Sequence, residues 1–142
     1  MPSPPDPRPS LVYQGLEILS DGECRDLLAS RRVGRVVLST GAVPQVFPVN
    51  FVMVGGDVVF FTGEGAKLTA ALTGATVTFQ VDHVDLDRRE GWSVLAVGTA
   101  SLASDELADR AHALGCWPWA AGDRHRAVRV RPEFLSGRRI LA

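Results

Sequence analysis

The sequence predicts a mainly β fold, built as a closed antiparallel barrel with attached helices. Three observations predict it: strand-like apolar segments outnumber helical ones, glycine turns join neighbouring segments, and the few helical patterns are scattered between them. Strands that follow one another through short turns pair antiparallel. A doubly wound parallel sheet is therefore not expected.

The first half of the chain predicts two helices and three strands. A capping box formed by Ser20 and Glu23 begins a helix that runs to about Ser30. The short helix Ala66–Leu72 ends at Thr73-Gly74. Strands are predicted where β-branched residues lie between glycines, with a hairpin at Gly55-Gly56 joining the last two: Val33–Thr40, Gln45–Val54 and Asp57–Thr62.

The second half predicts a helix from Ser104 to about Leu114 and further strands around it. These strands are Ala75–Val81, Trp92–Leu102, Ala127–Val130 and a last short one at Ile140-Leu141. Val128 and Val130 should face one way and Arg129 and Arg131 the other, because side chains alternate across a strand.

Composition describes a globular chain of 142 residues, 46% hydrophobic and 22% charged, with a net charge of −1. Proline-rich residues 1–15 predict a disordered tail, followed by a single domain at residues 16–142. The balanced charge gives no sign of nucleic-acid binding, and no apolar segment is long enough to span a membrane. Cys24 and Cys116 form no C-x-x-C pair, so we expect reduced thiols in a cytoplasmic protein.

Lys67 is the only lysine among fifteen Lys and Arg residues, and it follows the Gly63-Glu64-Gly65 turn at the start of a predicted helix. A cation there is disfavoured by about 0.3–1 kcal/mol, because helix N-termini carry partial positive charge. Glycine turns and free N–H groups instead suit a bound anion. Either Lys67 meets an anionic ligand or it is a solvated surface lysine.

Familiar catalytic and metal motifs do not match. The Gly63–Leu68 stretch has the wrong spacing for a P-loop, and Gly91–Leu95 lacks the closing glycine of a nucleophile elbow. The Asp82–Asp87 stretch alternates across a strand, and His112 with Cys116 provides only two ligands, so no metal site is predicted. No catalytic acid, base or nucleophile is identified, and the catalytic residues are left unknown.

Read together, four motifs resemble those of flavin-binding split-barrel proteins of the pyridoxamine 5'-phosphate oxidase-like superfamily: Pro48-Val49-Asn50-Phe51, Phe60-Phe61-Thr62, Gly91-Trp92-Ser93-Val94 and Gly137-Arg138-Arg139. The similarity runs from about Leu19 to Leu141 and is greatest to a short actinobacterial-type branch. It implies a split barrel of antiparallel Greek-key type and a homodimer. It also implies FMN bound in two clefts between the subunits.

Carried over by position, the resemblance implies a cofactor site of nine residues: Val49, Asn50, Phe51, Phe61, Thr62, Ala66, Lys67, Trp92 and Ser93. Lys67 would meet the flavin phosphate, and residues 49–51 would run beside the isoalloxazine ring. By residue type alone, Phe51, Phe61 and Trp92 fit core packing equally well. Many relatives have an arginine where Phe61 stands and an acidic residue where Gln80 stands, and loss of the arginine predicts modest FMN affinity.

The function implied is that of a flavin-dependent oxidoreductase acting on an unknown small molecule. One alternative is a deazaflavin-dependent reductase, whose anionic cofactor would draw on Arg35, Arg124 and Arg126. Another is a non-catalytic flavin or haem carrier, with axial-ligand candidates His83, His112 and His125. Trp117 and Trp119 fit either an aromatic wall over the cleft or a hydrophobic plug under the barrel.

Overall fold

A computed structural model describes residues 15–119 and 125–141. The predicted tail lies outside these ranges, apart from Gly15, whose carbonyl accepts a hydrogen bond from the Leu141 amide (2.9 Å). None of the helices in the described ranges has the length and apolar character needed to cross a membrane. In chain order the elements are β1 (Leu16–Ile18), α1 (Asp21–Ala29), β2 (Val33–Thr40), β3 (Val43–Val54), β4 (Asp57–Thr62), α2 (Ala66–Thr73), β5 (Thr76–Asp85), β6 (Glu90–Leu102), α3 (Asp105–Ala113) and β7 (Arg126–Ile140).

Strands β2 to β7 form a closed antiparallel barrel. They are hydrogen-bonded in the order β7-β4-β3-β2-β5-β6, and β6 pairs back onto β7 to close the ring. The short strand β1 pairs with the far end of β7, where Leu16 lies opposite Ile140. The predicted fold class, a mainly β split barrel with attached helices, is confirmed.

Apolar side chains that point inward fill the barrel. Phe51, Phe60 and Phe79 are at most 1% exposed, and the rings of Phe51 and Phe79 meet edge to face with centroids 4.7 Å apart. Burying such a side chain contributes about 1.5–3 kcal/mol relative to leaving it in water. The interior is therefore a packed core, and any ligand site must lie on its outside.

Alternation along the first part of β7 follows the prediction. Val128 and Val130 are fully buried, whereas Arg129 on the opposite face forms an ion pair with Asp57 at 2.6 Å. Arg131 lies near the same carboxylate, at 4.0 Å. This cluster ties β7 to the start of β4 on the outer surface.

The prediction of two separate short strands at the C-terminal end was wrong, because β7 is continuous from Arg126 to Ile140. Pro132 lies within this strand, although proline cannot donate a ladder hydrogen bond. The structure accommodates it with a register shift: Val97 lies opposite Phe134, but Gly98 lies opposite Pro132. The skipped residue, Glu133, accepts a hydrogen bond from the Thr99 hydroxyl at 2.7 Å.

Helix ends agree closely with the sequence. The Glu23 amide donates to the Ser20 hydroxyl and the Ser20 amide donates to the Glu23 carboxylate, both at 3.2 Å, which completes the predicted capping box of α1. Helix α2 ends at Gly74 in the left-handed conformation, with φ of 65°. The start of α2 differs from that of α1, because its N-cap residue, Gly65, has no side chain that could accept a capping hydrogen bond.

Replacing Gly98 with alanine should destabilise the barrel by about 3 kcal/mol, since an added Cβ would overlap the Arg131 carbonyl group across the register shift. The matched control is Gly22→Ala in α1, where an added Cβ meets nothing within 4 Å and stability should change by less than about 1 kcal/mol. Denaturant unfolding measures both. Equal stabilities would contradict this description of the β6–β7 contact.

Candidate functional site

A cavity of about 310 Å³ lies where β3, β4, the start of α2 and the segment after α3 meet. Five of the nine predicted site residues line it: Val49, Asn50, Phe61, Thr62 and Lys67. Pro118, Trp119 and His125 also line it. We call this the Lys67 cavity.

Lys67 is half-buried in this cavity, in the first turn of α2, and its Nζ lies 4.1 Å from the centroid of the Phe47 ring. Burial lowers the pKa of its ammonium group. Within residues 15–119 and 125–141 this cation forms no ion pair. A partly desolvated cation beside an uncapped helix N-terminus favours the anion interpretation over that of a solvated surface lysine.

The polar side chains near Lys67 differ in how fully they are engaged. Thr62 is a buried polar residue whose hydroxyl donates only a long hydrogen bond, 3.3 Å, to the Gly63 carbonyl. The Asn50 side chain instead donates a short hydrogen bond, 2.7 Å, to the Trp117 carbonyl. Asn50 therefore anchors the cavity rim, a role that the sequence did not indicate.

One wall of the cavity is aromatic. The Phe61 ring lies parallel to the His112 imidazole, with centroids 4.4 Å apart, and Trp117 covers the other face of that imidazole at 4.2 Å. Trp117 and Trp119 are 57% and 78% exposed, so the interpretation of this pair as a buried plug was wrong. Trp119 lines the cavity, as the wall interpretation predicted.

The remaining predicted residues lie elsewhere. Phe51 is in the barrel core, so only its backbone could border a ligand. Ala66 lines a separate cavity that Leu38 and Thr69 also border. Trp92 and Ser93 line a third cavity, of about 520 Å³, at the β5–β6 hairpin. A single chain therefore does not bring all nine residues together.

The third cavity has a border of charged and exposed apolar residues, and we call the apolar part, with Trp92 and Ser93, the β5–β6 face. Val84, Leu86 and Ile140 line it and are 62%, 84% and 55% exposed. The Arg31 guanidinium lies 5.4 Å from the centroid of the Trp92 ring. Clustered exposed apolar side chains of this kind mark interaction surfaces.

Nucleophile and metal chemistry find little support among the described residues. The Cys116 thiol packs against the carbonyl oxygens of Asn50 and Val59, at 3.8 and 3.9 Å. Burial raises its pKa to about 11, which disfavours the thiolate. No three His, Cys, Asp or Glu residues in the described ranges are grouped so that they could hold a metal ion.

Comparison with known proteins identifies relatives over nearly the whole domain. Residues 20–139 match the pyridoxamine 5'-phosphate oxidase family. The uncharacterized protein Rv0080 of Mycobacterium tuberculosis is 35% identical over 129 residues, covering 87% of this chain and 85% of that one. The solved FAD-binding protein of Mycobacterium smegmatis is 38% identical with a TM-score of 0.72, covering 87% of this chain and 99% of that one. A FAD-binding protein of Mesorhizobium loti has 25% identity and a TM-score of 0.74, covering 87% and 97%.

The raised pKa of Cys116 predicts a loss of stability at alkaline pH. The unfolded thiol loses its proton near pH 9, whereas the folded thiol keeps it until about pH 11. The folded state therefore binds more protons in this window, and stability falls as pH rises through it, by at most about 2 kcal/mol from this group. Urea unfolding at pH 8 and pH 10.5 measures the loss. Cys116→Ser, whose hydroxyl does not ionise, should lose less, and an identical loss in the variant would contradict the assignment.

Proposed function

The chain belongs to the pyridoxamine 5'-phosphate oxidase family, and from this we propose that it is a flavin-binding protein that uses FMN as a redox cofactor. The observation that carries the proposal is the half-buried Lys67 at the uncapped start of α2. The FAD-binding proteins of Mycobacterium smegmatis and Mesorhizobium loti, which share the fold, support a flavin as the ligand.

The phosphate of FMN fits the chemistry of the Lys67 end of the cavity. Its charge would compensate the ammonium group, and its oxygens could accept from the amides that begin α2 and from the Thr62 hydroxyl. Charge-assisted hydrogen bonds of this kind contribute about 1.5–3 kcal/mol each. The departure at Phe61 leaves Lys67 as the main cationic contact there, which is consistent with modest affinity.

The isoalloxazine ring fits the other end of the cavity. Phe61, Trp119 and Val49 offer apolar contact, and the Asn50 side chain is a polar group in the same lining. When bound, the flavin would supply two-electron redox chemistry, while the protein binds it, orients it and excludes water. We propose oxidoreductase activity on a small molecule on this basis.

We further propose that the cleft is completed by a second copy of the chain. Trp92 and Ser93 lie in a different cavity from Lys67, so one chain alone does not supply the full set of residues. In a homodimer the β5–β6 face of one subunit could bring both residues to the Lys67 cavity of its partner. The exposed Val84, Leu86 and Ile140 around them are the kind of side chains that such contacts bury.

The hydrogen bonds that Arg35 already makes favour FMN over a deazaflavin as the cofactor. Its guanidinium donates to Gln80 at 3.1 Å and to Asp82 at 3.4 Å, so this arginine is already engaged. Arg124 lies outside the described residues. Arg126 is exposed and lies opposite Thr62 on β4, so the long anionic tail of a deazaflavin coenzyme would find this one of the three arginines beside the cavity.

Replacing Lys67 with alanine should weaken FMN binding by about tenfold to a hundredfold, the equivalent of about one charge-assisted hydrogen bond. Riboflavin, which has no phosphate, should bind both proteins weakly and equally. Quenching of flavin fluorescence measures both affinities, with FAD and a deazaflavin titrated against the wild type for comparison. Lys67→Arg is the matched control and should retain most of the affinity for FMN.

Equal FMN affinity in wild type and Lys67→Ala would overturn this placement of the phosphate. If a deazaflavin binds tenfold more tightly than FMN, the deazaflavin and not FMN is the natural cofactor. The same FMN-loaded wild type tests the proposed oxidoreductase activity. NADPH should bleach the flavin absorbance, and added quinone should restore it. Failure of both steps with tightly bound FMN would instead favour a non-catalytic flavin carrier.

A further inference from the structure

His112 forms the middle of a three-ring stack beside the Lys67 cavity. Its imidazole lies within 8° of parallel to Phe61 and within 6° of parallel to Trp117, with centroid distances of 4.4 and 4.2 Å. Phe61 lines the cavity, while Trp117 belongs to the segment that follows α3. The histidine therefore joins a strand of the cavity wall to the segment that forms its rim.

The rim, defined as residues 114–119, is held to the barrel at three further points. The Arg32 guanidinium donates to the Leu114 carbonyl at 2.9 Å, and the Asn50 amide donates to the Trp117 carbonyl at 2.7 Å. Cys116 is buried in a small apolar cluster with Val52, Val54, Val59 and Ala111. These contacts fix the rim backbone, and Phe61 also packs against the Cys116 cluster. The ring stack adds contact with the flat faces of the Phe61 and Trp117 rings.

Helix geometry explains why His112 can make this contact. Ala111 faces the barrel and is fully buried, which leaves the next residue at the margin of the α3–barrel interface. There the half-buried imidazole covers the face of Phe61 that packs toward α3. A planar side chain is required at this position, because only a flat group fills the space between two parallel rings while contacting both faces.

We propose that His112 is a positioning residue for the flavin ring: it fixes the Phe61 ring in the cavity wall and holds the Trp117-Pro118-Trp119 rim beside it. The inference rests on the proposed function, because it concerns how the cavity receives a flavin. It differs from the role of Lys67 in its location. Lys67 acts on the phosphate, whereas the His112 stack acts on the isoalloxazine end.

This difference in location determines the test. His112→Leu, which keeps an apolar side chain of similar size but removes the flat ring, should weaken FMN and riboflavin binding by the same factor, about tenfold. His112→Phe restores a planar ring and should bind both ligands within about threefold of wild type. Arg110→Ala, an exposed change on the same helix, is the control and should bind as wild type does.

Fluorescence titration gives the affinities, and thermal unfolding of the ligand-free variants shows whether each is folded. Equal affinities for His112→Leu and His112→Phe would mean that the side chain only fills space, which overturns the inference. Loss of FMN binding without loss of riboflavin binding in His112→Leu would also overturn it.

If the wild type binds no flavin, the proposed function fails and this inference fails with it. If the wild type binds and Lys67→Ala does not, but His112→Leu binds normally, only this inference fails.

Discussion

The pairing of β7 with strands on both of its sides is the constraint on which the rest of the structure depends. Its first residues pair with β4, its whole length from Val128 pairs with β6, and its last residues pair with β1. Closure of this kind leaves the barrel strands without a free edge. It also fixes the end of β4, because Phe61 and Thr62 lie opposite Ala127 and Arg126. The strand that closes the barrel therefore also pairs with the two residues of β4 that line the candidate site.

Because the barrel interior is filled, the candidate site is built on its outer surface by β3, β4, helix α2 and the segment that follows α3. Helix α2 follows β4 directly and delivers Lys67 with the amides of its first turn. Through Ala111, helix α3 packs on the outside of the same two strands, beside Cys116 of the rim. The rim that follows α3 lies against Asn50, whose side chain donates a hydrogen bond to the Trp117 carbonyl. One short stretch of barrel surface thereby combines a cation, an uncapped helix start and stacked rings.

Local signals made much of this fold predictable. The capping box at Ser20, the Gly55-Gly56 hairpin and the Gly74 helix stop each depend on neighbouring residues, and each is found as expected. The continuous strand β7 was missed because the register shift at Gly98 depends on a partner more than thirty residues away. His112 was interpreted only as a weak metal or haem ligand for the same reason. Its ring contacts exist only once α3 has packed on β4.

The resemblance implied a flavin cleft between two subunits and nine residues around it, but it did not predict which of these residues one chain brings together. Val49, Asn50, Phe61, Thr62 and Lys67 come from one contiguous stretch of chain and meet locally. Trp92 and Ser93 lie on the β5–β6 face, and among the described residues they line a different cavity from Lys67. A cleft shared between two subunits reconciles these two observations.

Mixing two defective variants tests that claim most directly. Lys67→Ala and Trp92→Ala are prepared separately, unfolded together in equal amounts and refolded, and bound FMN is then measured on the dimer fraction. If each cleft takes Lys67 from one subunit and Trp92 from its partner, random pairing leaves about a quarter of the clefts intact, and tight FMN binding returns to that extent. If both residues serve the same chain's cleft, or if the chain is a monomer, the mixture binds no more FMN than the separate variants do, and the account is contradicted.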